Sequence, residues 1–243
     1  MNYLITLMFD GTKYHGWQRQ KNALSVQEVV ENAVTSLFGE KCTVCGCSRT
    51  DTGVHANEFA ANFIVQKQLS PKSVVSGLNF FLPDDIAVKD CTEVPPDFNA
   101  RFSCKSKEYI YKIYNSELRN PFYVNRALFY RYRLDEAFLD RQAQAFVGMH
   151  DFSAVRAEGS TVKTTVRTVL HAGVERYGDE VLFRFEADGF LYNMVRIMSG
   201  TLIYISEGKI PADSVADIIQ SKNRLRAGKT LPPEGLYLNR VRF

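Results

Sequence analysis

The apolar run from Tyr3 to Phe9 predicts a strand, which Asp10-Gly11 ends. A polar loop follows, holding Lys13-Tyr14-His15-Gly16-Trp17-Gln18-Arg19-Gln20. Ser25 with Glu28 has the spacing of a capping box, and Val26, Val29, Val30, Ala33 and Leu37 recur at helical spacing up to Gly39, the expected stop. The small and β-branched residues of Lys41-Cys42-Thr43-Val44-Cys45-Gly46-Cys47 predict a buried strand, and a further strand carries Phe59, Ala61, Phe63 and Val65 in alternation. Asp51 sits in the loop between them. Ser70-Pro71 opens a second helix with Val74, Val75 and Leu78 among its apolar positions. Leu82-Pro83 closes it, and a short strand near Ile86 to Val88 follows.

Pro95-Pro96 marks a seam. Beyond it, Tyr109-Ile110-Tyr111-Lys112-Ile113-Tyr114 and Leu128-Phe129-Tyr130-Arg131-Tyr132 predict aromatic-rich strands, and a helix is expected around Asp135 to Val147. Val166 to Val174 and Val181 to Phe185 flank Tyr177-Gly178-Asp179 as an antiparallel pair. Helices near Leu191 to Ser206 and Pro211 to Lys222 precede a last strand, Tyr237 to Phe243. Helices inserted irregularly among runs of strands favour an α+β fold: two similar halves, residues 1–104 and 105–243, with antiparallel sheets flanked by helices.

Composition sharpens this picture by exclusion. A chain of 243 residues that is 45% hydrophobic and 23% charged can bury a substantial core. Its formal net charge of +3 is too small to announce a nucleic-acid partner, so any such reading must rest on local clusters. No basic stretch precedes the first apolar run, which argues against a signal peptide. The greasy stretch Phe190 to Ile205 falls short of the about 20 residues a bilayer needs and carries Arg196, so no membrane span is expected. The five cysteines are odd in number and three crowd together at Cys42, Cys45 and Cys47, which points to a reducing cytoplasm. Cys42 and Cys45 have the spacing of a zinc half-site, but no second close pair completes it and the buried-strand reading is preferred.

Three residues stand out chemically. Asp51 lies in a polar, glycine-containing loop, where a rigid sheet can present a catalytic group; the bland alternative is a turn in which the carboxylate only caps backbone amides. Arg196 is the one charged residue between Phe190 and Ser206, at the border of the face marked by Val195, Met198 and Leu202. Unpaired in low dielectric it would cost several kcal/mol, so it needs an acidic partner, of which Asp51 is one candidate, or a route for its long stem to solvent. Tyr109, on a strand mixing tyrosines with Lys112, suits base stacking as well as ordinary core packing. Basic residues recur in clusters: Lys13, Arg19 and Lys21; Arg101, Lys105 and Lys107; Lys163 and Arg167; Arg224, Arg226 and Lys229. Gathered on one face they would neutralise a nucleic-acid backbone, and scattered they are solvated surface.

Four segments turn these alternatives into one reading. They are Phe9-Asp10-Gly11-Thr12-Lys13-Tyr14-His15-Gly16-Trp17-Gln18-Arg19-Gln20, Ser48-Arg49-Thr50-Asp51-Thr52-Gly53-Val54-His55-Ala56, Phe98-Asn99-Ala100-Arg101-Phe102-Ser103 and Glu234-Gly235-Leu236-Tyr237-Leu238. In this order the chain resembles the TruA family of tRNA pseudouridine synthases over nearly its whole length. Ser48 stands where many members have glycine and Thr52 where many have alanine, both compact changes. The resemblance puts the family's nucleophilic aspartate on Asp51, its base-stacking tyrosine on Tyr109 and its active-site arginine on Arg196. Arg49 matches the arginine that helps displace the target base, and Lys13, Arg19 and Arg101 are the expected RNA contacts. It implies a pseudouridine synthase fold with the active-site cleft between its halves, and a homodimer with no metal or organic cofactor. It also implies action on uridines 38–40 of the tRNA anticodon stem-loop. The implied reaction detaches uracil from ribose at N1, turns it and rejoins it through C5; the residues do not choose between attack by Asp51 on base or ribose and proton abstraction. Two rivals remain at this stage. A zinc nucleobase deaminase lacks its H-x-E and P-C-x-x-C pair here, whereas a non-catalytic tRNA-binding or RNA-chaperone protein would keep the basic clusters without requiring Asp51 and Arg196 together.

Overall fold

A computed structural model describes residues 1–159 and 162–243 of the chain. In chain order its elements are β1 (Asn2–Phe9), α1 (Val26–Phe38), β2 (Cys45–Gly46), β3 (His55–Ile64), α2 (Pro71–Phe81), β4 (Ile86–Val94) and β5 (Ser106–Asn115). Then come β6 (Leu128–Tyr130), α3 (Glu136–Ala143), β7 (Gly148–Asp151), β8 (Val166–Tyr177), β9 (Glu180–Ala187), α4 (Met194–Ser206), α5 (Val215–Ser221) and β10 (Leu236–Arg242). The chain divides into two compact units, Met1–Lys105 with Tyr237–Phe243, and Ser106–Leu236. The architecture is mixed α+β with mainly antiparallel strands, as the sequence predicts. No helix among the described residues is long and apolar enough to cross a membrane.

In the first unit the strands run β4-β1-β3-β10; β1 is antiparallel to both neighbours, and β10 joins β3 in parallel through Tyr237 opposite His55 and Leu238 opposite Ala56. Tyr3, Ile5, Leu7 and Phe9 are buried while Met8 between them is exposed, the period of two that puts alternate side chains on one face. α1 reaches that face through Phe38, whose ring lies 6.0 Å from Tyr3 and 5.8 Å from Phe63. Its ends follow the sequence signals: Ser25 Oγ accepts from the Glu28 amide at 3.3 Å, and Gly39, at φ 77°, closes it in the left-handed conformation. Two buried asparagines hold residues 95–100 down. Asn2 Nδ2 donates to the carbonyls of Pro95 (2.9 Å) and Phe98 (3.0 Å), while Asn62 donates to Asn2 Oδ1 (3.0 Å) and accepts from the Ala100 amide (2.8 Å). Buried polar groups are tolerable only when paired in this way.

In the second unit the strands run β5-β9-β8-β7, all antiparallel, with β6 alongside β5 in parallel. Tyr109, Tyr111 and Ile113 lie opposite Phe185, Phe183 and Val181, and all six are buried. α4 is nearly enclosed. Residues 227–231 run so close to it that a Cβ on Gly200 would sit 1.9 Å from the Lys229 carbonyl oxygen.

Several predicted elements change in extent for physical reasons. Of the strand expected over Lys41–Cys47 only Cys45–Gly46 joins β3. The Val44 amide and carbonyl instead bond to Glu31 Oε1 (3.2 Å) and Gln27 Nε2 (3.1 Å) of α1, so helix side chains replace a strand ladder there. The helix expected from Leu191 begins at Met194, because Asn193 has a left-handed backbone. The one expected over Pro211–Lys222 contracts to Val215–Ser221, with Asp213 at φ 59° before it. The strand at Ile86 extends to Val94, and β7, four residues with an exposed Met149, has too little alternation to be predicted.

Candidate active site

Asp51 is half-buried in the loop joining β2 to β3. The Val54 amide donates to the Asp51 carbonyl at 3.1 Å across a turn in which Gly53 takes φ 77°. Residues 11–20 add further support to the loop. The Trp17 amide donates to the Thr50 carbonyl (3.3 Å), and the Gly53 amide donates to the Tyr14 carbonyl (3.2 Å). Gly16 sits between these bonds at φ 78°, and a Cβ there would lie 2.1 Å from the Thr50 oxygen, so only glycine lets the two loops approach this closely.

Residues 11–20 are themselves well seated. The Trp17 indole stacks on Phe59 of β3 at 4.1 Å, and the Val26 and Gln27 amides donate to the Gly16 and Trp17 carbonyls at 3.1 and 3.0 Å. The Tyr14 hydroxyl donates to Asp85 Oδ1 at 2.6 Å; burial and that carboxylate push its pKa well up, so it stays protonated. The Gly11 amide donates to His55 Nδ1 at 3.0 Å, and the His55 ring stacks on Tyr237 at 4.5 Å. Two of the quoted sequence segments therefore act together, one as the seat of the other.

The candidate RNA contacts of this unit differ in how committed they are. Arg49 is exposed, two residues before Asp51. The Lys13 ammonium is largely exposed, 3.3 Å from Asp85 Oδ2. The Arg19 guanidinium reaches Glu31 (3.0 Å) and Glu28 (3.4 Å) on α1, so part of its charge is already answered within the fold. Arg101 is exposed just after the segment 95–100 that Asn2 and Asn62 hold, its guanidinium 5.7 Å from the ring of Phe102. The amides of Arg101 and Phe102 both donate to Asn99 Oδ1, at 3.0 and 3.3 Å, which stiffens this turn.

Tyr109 and Arg196 belong to the second unit. Tyr109 is buried on β5, edge-on to Phe190 at 5.2 Å. Arg196 is half-buried in the first turn of α4, where Nε donates to the Leu231 carbonyl and Nη1 to Asn193 Oδ1, both at 2.7 Å. Gly16, Asn193 and Leu231 are site-building residues that sequence reasoning missed. The first two carried a usable signal, a glycine inside a motif and an asparagine just ahead of a helix, whereas a carbonyl acceptor carries none.

All five cysteines are free thiols. Burial, then nearby carboxylates, push the Cys42 and Cys91 thiols up to about 11 and about 12, so they stay protonated near neutrality. Among the described residues no three His, Cys, Asp or Glu side chains are gathered as metal ligands would be.

In the first unit, the half-buried Asp51 carboxylate on its braced loop suits acid-base or nucleophilic chemistry. The comparison with known proteins identifies the class: the family described as tRNA pseudouridine synthase matches residues 5–103 and 142–243. The chain belongs to this family. It is 47% identical over 242 residues to tRNA pseudouridine synthase A of Acetivibrio thermocellus, covering 100% of this chain and 99% of that one. It is 45% identical to the protein of that name from Thermoanaerobacter sp. (99% and 98% covered) and 44% identical to that from Ruminiclostridium cellulolyticum (98% of each).

Proposed function

We propose that this chain isomerises uridine to pseudouridine in tRNA, with Asp51 as the group that attacks the uridine. The observation that carries the reading is its likeness, from end to end, to proteins named tRNA pseudouridine synthase A. The bracing of the Asp51 loop by residues 14–17 gives that likeness a physical basis. In the reaction the N1–C1′ bond of uridine breaks and a C5–C1′ bond forms; C5 loses a proton and N1 ends up carrying one. Atoms and electrons balance within the substrate, so neither oxidant nor group donor enters.

Each residue then has a part. Asp51, ionised, adds covalently to the base or ribose, or abstracts the proton. Tyr109 stacks on the uracil once it has left the helix, and Arg49 helps displace it. Arg196 supplies the positive charge that favours an ionised carboxylate in the reaction. Lys13, Arg19 and Arg101 meet phosphates, Arg19 more weakly because Glu28 and Glu31 already answer part of its charge. The finer part of the reading is that the target uridines lie on the 3′ side of the anticodon stem-loop and that the enzyme works as a cytoplasmic homodimer.

The test is primer extension on carbodiimide-treated tRNA incubated with the purified protein. Stops in the anticodon arm are expected with the parent chain and should vanish with Asp51→Asn, which preserves shape and removes charge, while tRNA binding persists. Full activity of that variant would end the role given to Asp51. Stops elsewhere in the tRNA would move the target site.

A further inference from the structure

Asn193 does not do what its position ahead of a helix ordinarily asks. A residue there usually has extended backbone and turns its side chain onto an amide of the first turn. Asn193 is instead left-handed, at φ 57° and ψ 12°, makes no such capping bond, and accepts from Arg196 Nη1 at 2.7 Å through its Oδ1. Asparagine is one of the few residues other than glycine that visit this backbone region, and its amide oxygen accepts a hydrogen bond without bearing charge. The Leu231 carbonyl, which accepts from Nε, is also neutral. The two arrive from opposite ends of the sequence around α4, and Leu231 is secured in turn by its own amide donating to the Arg196 carbonyl at 3.3 Å.

We propose that Asn193 is a positioning residue for Arg196, a neutral acceptor that fixes the orientation of the guanidinium without cancelling its charge. This rests on the reading of Arg196 as the active-site arginine. Aspartate would tolerate the same backbone and hold the guanidinium more strongly, through a charge-assisted bond, but would offset the positive charge the reaction uses. Glycine would tolerate the backbone and hold nothing. These two replacements separate holding from charge.

Both Asn193→Gly and Asn193→Asp are expected to melt close to the parent and to bind tRNA with little change in Kd. Both should slow single-turnover pseudouridine formation by about tenfold to a hundredfold, the effect of misplacing or neutralising one group in a preorganised site. The aspartate variant is the sharper arm, because a residue that merely supported the fold would there be replaced without loss of turnover. Parent-like turnover in either variant overturns the proposal, and so does a loss that only tracks a fall in Tm. Absence of pseudouridine with the parent protein would instead bring down the functional reading, and this inference with it.

Discussion

Replacing Gly16 by alanine tests whether the loop of residues 11–20 is the seat of Asp51. At φ 78° any Cβ brings left-handed strain of about 1–2 kcal/mol. The new methyl would also meet the Thr50 carbonyl oxygen at 2.1 Å, so that carbonyl must retreat by roughly 1 Å, enough to break the Trp17 amide bond to it, worth about 1 kcal/mol. Stability should therefore fall by about 2–3 kcal/mol, or roughly 4–12 °C in Tm for a chain of this size. Thr50 immediately precedes Asp51, and a displacement of about 1 Å at a reacting group can lower turnover about a hundredfold. Gly39→Ala is the matched control: its φ is 77°, but nothing lies within 4 Å of the added Cβ. It should lose only the strain contribution and keep its turnover. The assay is the single-turnover rate at saturating tRNA, read beside a thermal melt for each variant. If Gly16→Ala turns over as fast as Gly39→Ala, the seat does not set the position of Asp51 and the reasoning is wrong.

Two further perturbations probe the scaffold. Asn62→Ala orphans the buried Ala100 amide and removes a donor from Asn2 Oδ1, so it should destabilise by about 2–4 kcal/mol in denaturant unfolding; a loss below about 1 kcal/mol would mean that the strap of residues 95–100 is held by something else. Asp151 is held well below its ordinary pKa by the hydroxyls of Ser153 and Thr165 and by the Lys222 ammonium, at 2.5, 2.6 and 3.0 Å. A depressed carboxyl contributes stability above its unfolded pKa of about 4 and loses it as pH falls from there toward the folded value. The stability gap between the parent and Asp151→Asn should accordingly be widest above about pH 5 and shrink below about pH 4; a gap constant across that range would remove the ionised Asp151 from the account.

Local signals in the sequence are strong where one element answers to its own residues. The caps of α1, the apolar run that forms β1 and the β8–β9 hairpin are all legible in the sequence, because each depends on neighbours a few positions away. Elements whose backbone is satisfied from a distance are not. The cysteine segment has the small and β-branched residues of a buried strand, yet Glu31 and Gln27 take bonds that its ladder would have made. Nor does periodicity announce that Tyr237–Phe243 returns to the first unit beside β3, since a parallel pairing between distant residues leaves no turn to read.

The candidate site divides along the same line. A lone arginine in an apolar helix and an aspartate in a glycine-containing loop are conspicuous as residues, but what gives them chemical meaning is the identity of their acceptors and the rigidity of their supports. Net charge misleads in the same way. Arg19 counts toward a basic surface, yet Glu28 and Glu31 already engage it, whereas Arg49 and Arg101 remain exposed to meet a polyanion. The salt dependence of tRNA affinity should register this difference, because only cations that displace condensed counterions contribute to its slope. Removing Arg49 or Arg101 should flatten that slope by nearly a full phosphate contact each, and removing Arg19 by less. Equal slopes for all three variants would mean that the carboxylates of α1 release Arg19 when RNA arrives.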